Sequence, residues 1–487
     1  MKTSKISLAL ILHFVSLVVA FESLFMLLAV AVSFYYRESV ASHFLLTFIG
    51  TLLFGVLLNI LTRKQRYIEP SKRESFVIVS LGWVIMGLVG TLPYLTTQSI
   101  PEFTDAFFES ISGFTTTGSS ILADIEALPK SILFWRAETH WIGGMGIIVL
   151  VVAIMPFLKI NGIYLFYSEI SSVANEKIST RIKIIARNLW LIYLGLTLIE
   201  TILLWLGGMP LFDSVCHSFA TIATGGFSTQ NDSIAGYSPY IQYIIAFFMM
   251  MSGINFTVHF LMLKGRYKSA LKNEELRLYL KIIFFVGGII TLLLFFQHPN
   301  MNFEQAFRSS FFQVISIITA TGFATADYLQ WPVQALGLIA VLMLIGASSG
   351  STGGGVKVIR HLIAFKKIRQ AVTEILFPNT IKLVRYNGNH VKTEFVQRIL
   401  TFMFFYYLIV AVSTFVMMLW TNDLATSFGA VATSMAGIGP GFGTVGPVSN
   451  FLHLPIGAKY FLALLMVVGR LEIYSLLVLF TPSFWQD

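Results

Sequence analysis

Four short segments rich in glycine and threonine recur along the chain at intervals of roughly 100 residues. In chain order they read SGFTTTG at 112–118, TIATG at 221–225, ITATG at 318–322 and AGIG at 436–439. When several such strands surround one axis, their backbone carbonyl oxygens can replace the hydration shell of an ion. Glycine suits such a strand because it adopts left-handed dihedrals and places no side chain between backbone and ligand. The recurrence therefore predicts an ion-binding path.

Each segment follows a short, mostly apolar run that begins at a polar helix-start group. These groups are Thr104-Asp105, Asp213, Asn302 and Asn422-Asp423. A helix of about 12–18 residues is too short to cross a hydrocarbon core of about 30 Å, so we expect each run to enter the membrane and return. A single glycine at a helix end is usually a C-cap, but four copies between long apolar runs favour loops that line a path. The partly negative C-terminal ends of the short helices favour a cation.

The composition identifies an integral membrane protein. The chain has 487 residues, of which 56% are hydrophobic and 12% charged, whereas about 25% of residues in soluble domains are charged. A soluble enzyme is therefore excluded. The 44 Phe residues exclude a disordered chain, and the single Cys216 excludes an internal disulfide. Apolar runs of more than about 18 residues predict membrane-spanning helices and not a β-barrel.

Long apolar runs arrange the short segments into repeats. Two runs come first, at 6–35 and 43–62. Four pairs of runs then each enclose one short segment: 75–97 with 132–157, 188–208 with 238–263, 279–297 with 332–365, and 396–421 with 457–481. The predicted fold is an all-α polytopic membrane protein with two N-terminal helices and four helix–pore loop–helix repeats. The predicted units are the helix pair at 1–68 and repeats at 69–160, 161–268, 269–392 and 393–487.

The positions of the charges indicate the topology. The net charge is +9, and Lys and Arg gather in short stretches between apolar runs, at 63–66, 177–187, 264–281, 357–367 and 382–398. Short loops with this excess stay in the cytoplasm, and the alternate loops are acidic or neutral. We therefore expect a cytoplasmic N-terminus, a first helix retained as a membrane span, and no nucleic-acid binding. Two interpretations of the stretches 264–281 and 357–392 stay open: topology alone, or docking of an acidic or ring-shaped soluble partner.

A run of glycine and serine, here called the glycine segment (346–355), interrupts the second long helix of the third repeat. Glycine costs about 1 kcal/mol per residue inside a helix. A phosphate cradle is excluded because that motif requires a preceding strand and a Lys-Ser/Thr ending. Close helix packing through small residues stays an alternative, and the favoured hypothesis is an intramembrane loop that blocks the path. The candidate gate residues are Gly346, Ser348, Ser349, Gly350, Ser351, Thr352, Gly353, Gly354 and Gly355.

Arg470 lies in the middle of the last apolar run, where a cation is costly. Glu472 is two residues away and points to a different face of a helix. Two interpretations are open. Arg470 pairs with a carboxylate on another helix and holds the bundle, or its charge faces the ion path and opposes the ion. Both require that Arg470 lies inside the protein.

No catalytic constellation is present in the sequence, so we expect no enzyme. His140, His217 and His259 have no metal-ligand spacing and are expected to be satisfied histidines near the membrane ends. The leading function is a gated, channel-like cation pore. The alternative is a symporter coupled to sodium or protons, which requires ionisable residues at the membrane midplane. Only Glu22 and Arg470 qualify clearly.

Three features accompany the four loops: the extra N-terminal helix pair, Thr115-Thr116-Thr117-Gly118 in the first loop and Ile438-Gly-Pro-Gly-Phe-Gly443 in the last. With these features the chain resembles the Trk, Ktr and HKT superfamily of potassium transporters, in particular its TrkH-type pore subunits. The resemblance implies a pseudo-fourfold pore within one chain, potassium as the transported ion, and a homodimer in the cytoplasmic (inner) membrane. It also implies a cytosolic TrkA-type ring that binds NAD(H) or ATP/ADP, so that no nucleotide binds to this chain.

The resemblance further implies which residues form a selectivity filter. They are Thr116, Thr117 and Gly118; Ala223, Thr224 and Gly225; Ala320, Thr321 and Gly322; and Gly437, Ile438 and Gly439. It places the glycine segment and Arg470 below this filter as the gate. The four loops are not identical, which predicts weaker discrimination between ions than in a symmetric filter.

Overall fold

The computed structural model describes residues 6–66, 68, 70–158, 178–297, 301–378 and 383–485. The predicted boundary between the first two repeats, at 160–161, and the ends of two basic stretches, at Lys177 and Lys382, lie outside the described residues. The described chain is mostly helical, which confirms the all-α prediction. The first ten helices are α1 (Leu8–Tyr35), α2 (Ala41–Leu61), α3 (Lys72–Gly90), α4 (Leu92–Thr96), α5 (Phe103–Phe114), α6 (Lys130–Leu158), α7 (Ile178–Leu206), α8 (Leu211–Ile222), α9 (Pro239–Ser252) and α10 (Phe256–Leu263). The others are α11 (Tyr267–Lys272), α12 (Glu274–Gln297), α13 (Phe303–Ile318), α14 (Val333–Met343), α15 (Val358–Leu376), α16 (Thr393–Thr421), α17 (Leu424–Ala436), α18 (Ile456–Arg470), α19 (Tyr474–Leu477) and α20 (Pro482–Trp485).

The N-terminal helices α1 and α2 pack along each other, and α1 also contacts α3 and α6. Helix α3 starts with a capping box, in which Ser71 and Glu74 each accept the other's backbone N–H. Glu74 also accepts the N–H of Ser7 at 2.9 Å, and Ser7 caps α1. One carboxylate therefore ties the start of the first repeat to the start of the N-terminal pair.

The four short helices lie where the polar start groups predict them. Helices α5 and α8 have 12 residues each, α13 has 16 and α17 has 13. Asn302 forms a capping box with Gln305 at the start of α13, and Asp423 accepts two backbone N–H groups at the start of α17. Their C-terminal halves are almost completely buried. The prediction of four short helices is confirmed.

Several helices predicted as continuous are broken. Helices α9 and α10 meet at 99° across Gly253–Asn255, and α18 meets the next helical stretch at 108° near Glu472. The glycine segment separates α14 from α15, as its composition predicts. A short antiparallel hairpin, β1 (Arg385–Tyr386) and β2 (Asn389–His390), turns through Asn387-Gly388 with positive φ at both residues.

Within the described ranges, six helices are long and apolar enough to cross a membrane, or up to eight spans if each bent pair counts as one. Large apolar side chains are exposed on the outer helices, for example Leu57, Phe285, Phe296, Phe404 and Phe415. Such a surface suits lipid and is unsuited to water. The chain is thus a multi-pass membrane protein whose outer helices surround the four short ones.

Candidate functional site

A left-handed residue ends each short helix, one position after the helix cap in three loops and at the cap itself, Gly437, in the fourth. In the first loop, Thr116 has a φ of +55°, its N–H donates to the carbonyl of Gly113, and the Thr117 N–H donates to the carbonyl of Ser112 at 2.9 Å. This pair of bonds is the Schellman arrangement. Thr224, Ala320 and Gly437 hold the same left-handed position in the other loops. The C-cap alternative assigns this left-handed position to the last glycine of each segment, but the structure gives it to an earlier residue. Three of these four residues carry a Cβ, which costs about 1–2 kcal/mol in this conformation.

Two residues beyond each left-handed residue, a glycine has a second positive φ. These glycines are Gly118 (+80°), Gly226 (+83°), Gly322 (+85°) and Gly439 (+96°). One residue lies between the left-handed residue and the glycine in each loop, and its N–H donates to the carbonyl five residues earlier. In chain order these residues are Thr117, Gly225, Thr321 and Ile438. The backbone therefore repeats the same conformation four times.

The four loops contact one another in a closed ring, here called the loop ring (115–118, 223–226, 319–322 and 436–439). A Cβ added at Gly118 would lie 2.1 Å from the carbonyl oxygen of Gly225, and one at Gly226 would lie 2.0 Å from that of Thr321. A Cβ at Gly322 would lie 1.8 Å from the Ile438 oxygen. One at Gly439 would lie 2.9 Å from the Thr117 oxygen, which returns to the first loop. Real Cβ atoms essentially never approach within 3.0 Å, so only glycine permits this packing.

This geometry shifts the register of the second loop by one residue. The Thr-Gly pattern of the sequence predicts that Gly225 is the equivalent of Gly118, but the backbone makes Gly226 its equivalent. Ala223 is consequently the helix cap, Thr224 the left-handed residue and Gly225 the carbonyl position. The cause is local: Thr224-Gly225 imitates the Thr-Gly ends of the first and third loops, whereas the positive φ falls on the second glycine.

Hydrogen bonds also join each loop to the next, in addition to the close backbone packing. Arg136 of the first repeat donates to the carbonyl of Ser228 at 3.2 Å. The Ile234 N–H donates to the Ala324 carbonyl at 3.1 Å, and the Tyr328 hydroxyl donates to the Gly441 carbonyl at 2.6 Å. The Ser119 hydroxyl donates to the Gly439 carbonyl at 3.2 Å. The ring is thus closed by side chains as well as by backbone packing.

The glycine segment lies against the C-terminal ends of three of the short helices, α8, α13 and α17. The Thr352 hydroxyl donates to the carbonyl of Ile222 at 3.0 Å. A Cβ at Gly353 would lie 2.6 Å from the Thr319 oxygen, and a Cβ at Gly354 would lie 2.0 Å from the Ala436 oxygen. The segment therefore contacts the second, third and fourth repeats together. Its glycines do permit close packing, but they pack irregular backbone against the helix ends and not helix against helix.

Further contacts hold the rest of the glycine segment. The Ser348 N–H donates to the Gly253 carbonyl at 3.0 Å, and the Gly350 carbonyl accepts the Phe256 N–H at 3.0 Å. The Ser349 N–H and hydroxyl donate to the two oxygens of buried Glu275 at 2.6 and 2.9 Å. These contacts fix the segment to the break between α9 and α10 and to the start of α12. Three other members complete it: Ser351 donates to the Ser348 carbonyl, Gly346 to the Val356 carbonyl, and Gly355 has a φ of +70°.

Arg470 joins this segment to the first repeat. Its guanidinium donates to the carbonyl of Thr352 at 3.1 Å and to that of Gly143 at 2.8 Å. The residue is buried, and among the described residues no carboxylate lies in ion-pair distance of it. Glu472 pairs instead with Arg360 at 2.5 Å. The carboxylate-pairing interpretation of Arg470 is therefore not supported.

Four buried charged residues did not stand out in the sequence: Glu109, Arg136, Glu138 and Glu200. Glu109 and Arg136 form a fully buried ion pair behind the first loop, at 2.8 Å. The carboxyl groups of Glu22, Glu138 and Glu200 are buried, and those of Glu22 and Glu138 have no hydrogen-bond partner within the part of the chain that the structure describes. The signal that could have found these four is the one that picks out Glu22 in the sequence, the rarity of charged residues inside apolar segments.

The three histidines are all buried. The Nδ1 of His217 is 2.8 Å from the Asp213 carbonyl, and the Nε2 of His259 is 2.9 Å from the Met251 carbonyl. His140 accepts the N–H of Phe227 at 3.4 Å through Nδ1 and stacks on its ring. Their position relative to the membrane ends stays a prediction, and Nε2 of His140 has no hydrogen-bond partner among the described residues.

The fold and the ring of loops define a polytopic protein built around one central path, and comparison with known proteins gives its class. A family model described as a cation transport protein, TrkH, matches residues 41–487. The chain belongs to the TrkH family of cation transport proteins. This is a family of transporters, which confirms the prediction that the chain is not an enzyme.

Individual relatives cover nearly the whole chain. The Trk system potassium uptake protein TrkH of Escherichia coli (strain K12) is 38% identical over 482 residues, which is 98% of this chain and 99% of the relative. The Trk system potassium uptake protein TrkG of the same strain is 32% identical over 480 residues, 98% of each chain. The crystal structure of the potassium transporter TrkH from Vibrio parahaemolyticus has a TM-score of 0.89 and 35% identity, covering 98% of this chain and 99% of that one. This likeness confirms the resemblance and the repeat arrangement.

Proposed function

We propose that this chain is a potassium-selective uptake pore, channel-like and gated. The observation that carries the proposal is the loop ring, in which four unequal strands repeat one backbone conformation and close on themselves. Carbonyl oxygens at Thr116, Thr117 and their equivalents then replace the hydration shell of potassium. The relatives above are named potassium uptake proteins, which supports potassium as the ion.

The second part of the proposal is a gate formed by the glycine segment and Arg470. The segment contacts the C-terminal ends of the short helices of the second, third and fourth repeats. Arg470 links it to the first repeat through the Gly143 carbonyl. A cation that leaves the filter would meet the backbone of the glycine segment first, with the positive charge of Arg470 beside it. The segment blocks the path mainly with backbone and carries few large side chains. It can therefore move aside without repacking of a hydrophobic core.

The third part concerns assembly and location. We infer a homodimer in the cytoplasmic (inner) membrane with its N-terminus in the cytoplasm, and a cytosolic TrkA-type ring as regulator. The basic stretches support a cytoplasmic location for the corresponding loops. A nucleotide would then bind to the partner and not to this chain. The predicted repeat boundaries stay predictions.

Ion flux into liposomes tests this function. The purified chain is reconstituted with potassium and sodium gradients of opposite direction, and the reversal potential is measured. A selective pore gives a potential that follows the potassium gradient alone. A potential that follows sodium and potassium equally would contradict the filter.

One observation favours the symporter as a second candidate. Glu22 and Glu138 are buried carboxyls without hydrogen-bond partners among the described residues, and buried carboxyls of this kind are typical of proton relays in transporters. A coupled symporter would show a reversal potential set by a fixed combination of the potassium and the proton or sodium gradients. Changing the pH on one side at constant potassium separates the two candidates.

A further inference from the structure

A buried hydrogen-bond network lies behind two of the four loops. Glu109, on α5, accepts the backbone N–H of Ile121 at 2.9 Å with one oxygen. Its other oxygen accepts the Ser120 hydroxyl at 2.9 Å and the Arg136 Nε at 2.8 Å. The side chains of Arg136 and Glu109 are 1% and 0% exposed. One carboxylate thus holds the strand that follows Gly118 at two consecutive residues.

Arg136 carries this network across to the second loop. Its Nη1 donates to the carbonyl of Ser228 at 3.2 Å, and its guanidinium lies 4.1 Å from the centre of the Phe227 ring. Phe227 and Ser228 are the two residues after Gly226. The planar fork of Arg is required here because it must reach Glu109 and Ser228 in different directions from one rigid group.

The other loops have different residues at the position of Glu109. Counting back from the carbonyl position of each loop, the equivalents are His217, Gln313 and Ala430. His217 is 3.0 Å from the Ser228 hydroxyl through Nε2. Nδ1 donates to the Asp213 carbonyl, and the Ser228 hydroxyl also donates to the Ser233 carbonyl at 3.0 Å. The amide atoms of Gln313 have no partner among the described residues, and Ala430 has no polar side chain.

We infer that Arg136 is a positioning residue for ion selection: with Glu109 it braces the strands of the first and second loops, while the third and fourth loops lack an equivalent brace at this position. The inference rests on the proposed filter. Discrimination between ions depends on how firmly carbonyl oxygens keep their distance from the ion. Loosening one side of the ring should therefore lower selectivity before it lowers total conduction.

The test uses the ratio of potassium to sodium permeability, obtained from reversal potentials of the full chain in liposomes. Arg136→Lys keeps the charge and loses the fork, and Glu109→Gln keeps the shape and loses the charge. Each is expected to lower the ratio roughly tenfold, as the loss of one charge-assisted hydrogen bond implies, while potassium flux persists. Asp105→Asn is the matched control. It breaks a second shielded ion pair of α5, with Lys459 at 2.6 Å, which does not touch the loops, and it should leave the ratio unchanged.

A double variant separates positioning from stability. Glu109→Leu with Arg136→Met replaces the pair by apolar side chains, a change that often preserves stability. The inference predicts a lowered ratio with an unchanged melting temperature. An unchanged ratio in a folded double variant overturns it. If the wild-type chain itself shows no preference for potassium, the proposed function fails instead, so the two failures are distinguishable.

Discussion

Arg470 and Thr352 are joined by a 3.1 Å hydrogen bond from guanidinium to carbonyl, although they belong to different repeats. The same guanidinium holds Gly143 of the first repeat. Arg470 therefore has two physical effects at one place. It fixes the glycine segment, and it adds a positive charge near the proposed path.

Replacing Arg470 with Ala should increase potassium flux and leave the potassium-to-sodium ratio unchanged. A unit charge about 6 Å from a potassium ion costs roughly 3 kcal/mol at an effective dielectric near 20, about a hundredfold in ion occupancy. Stopped-flow or electrophysiological flux on reconstituted protein measures the change. Since the partners are carbonyls, no buried carboxylate is left unpaired, and the free energy of unfolding should fall by less than the ~3–5 kcal/mol typical of a broken buried ion pair.

Arg470→Gln separates charge from attachment. The amide can still donate to Thr352 but has no charge, so a charge barrier predicts fast flux in both variants. Slow flux in both, together with a lowered melting temperature, would show that Arg470 only holds the bundle.

Removing residues 350–354 should increase flux if the segment blocks the path. A milder change is Gly354→Ala, whose Cβ would lie 2.0 Å from the Ala436 oxygen and push the segment away. Gly337→Ala on α14 is the control, because nothing lies within 4 Å of its added Cβ. If the altered segment folds normally and flux does not rise, close packing is the role of these glycines.

Gly118→Ser should lower the preference for potassium over sodium. The new Cβ meets the Gly225 carbonyl at 2.1 Å and must displace it, and the residue must also keep a φ of +80°. Gly208→Ser is the control for backbone strain alone, since Gly208 has a φ of +91° and open space around it. Equal permeability ratios in the two variants would argue against Gly118 in the filter.

The register of the second loop gives a separate prediction. Gly226→Ala should lower selectivity as strongly as Gly118→Ala, because its Cβ meets the Thr321 carbonyl at 2.0 Å. Gly225→Ala meets only the His140 side chain, at 2.3 Å, and has no positive φ. Its effect on selectivity should be smaller, and His140→Ala should relieve it. A larger effect at Gly225 than at Gly226 would restore the alignment expected from sequence.

The sequence predicts the repeat architecture well because the cause is local. Helix-start groups such as Asn302 and Asp423, followed by short apolar runs, determine where the pore helices begin. The break at Gly253–Asn255 was missed although Asn255 caps α10, a signal present in the sequence. The break near Glu472 has no local signal. Glu472 and Ile473 carry side chains yet have φ values of +53° and +59°, and the contact of Glu472 with Arg360 becomes visible only in the fold.

The network around Glu109 could not be predicted from sequence for a similar reason. Glu109 and Arg136 are 27 residues apart, on different helices, and no spacing rule connects them. The one-residue shift in the second loop depends on dihedral angles, and Thr224-Gly225 gave the wrong alignment because it matches the other loops in letters.

The hydrogen bond from Ser119 to Gly439 spans 320 residues of sequence, and it has a consequence for how the protein is made. The ribosome releases the first loop long before the fourth. The first three loops are therefore present without the fourth loop, which closes the ring, while synthesis continues. Contacts this distant in sequence form late and slowly. The backbone hydrogen bonds that each loop makes with its own helix, Schellman pairs in the first three loops and two bonds to the Thr433 carbonyl in the fourth, need no partner from another repeat. They can therefore keep the early loops in shape inside the nascent chain until the last repeat arrives and completes the circle.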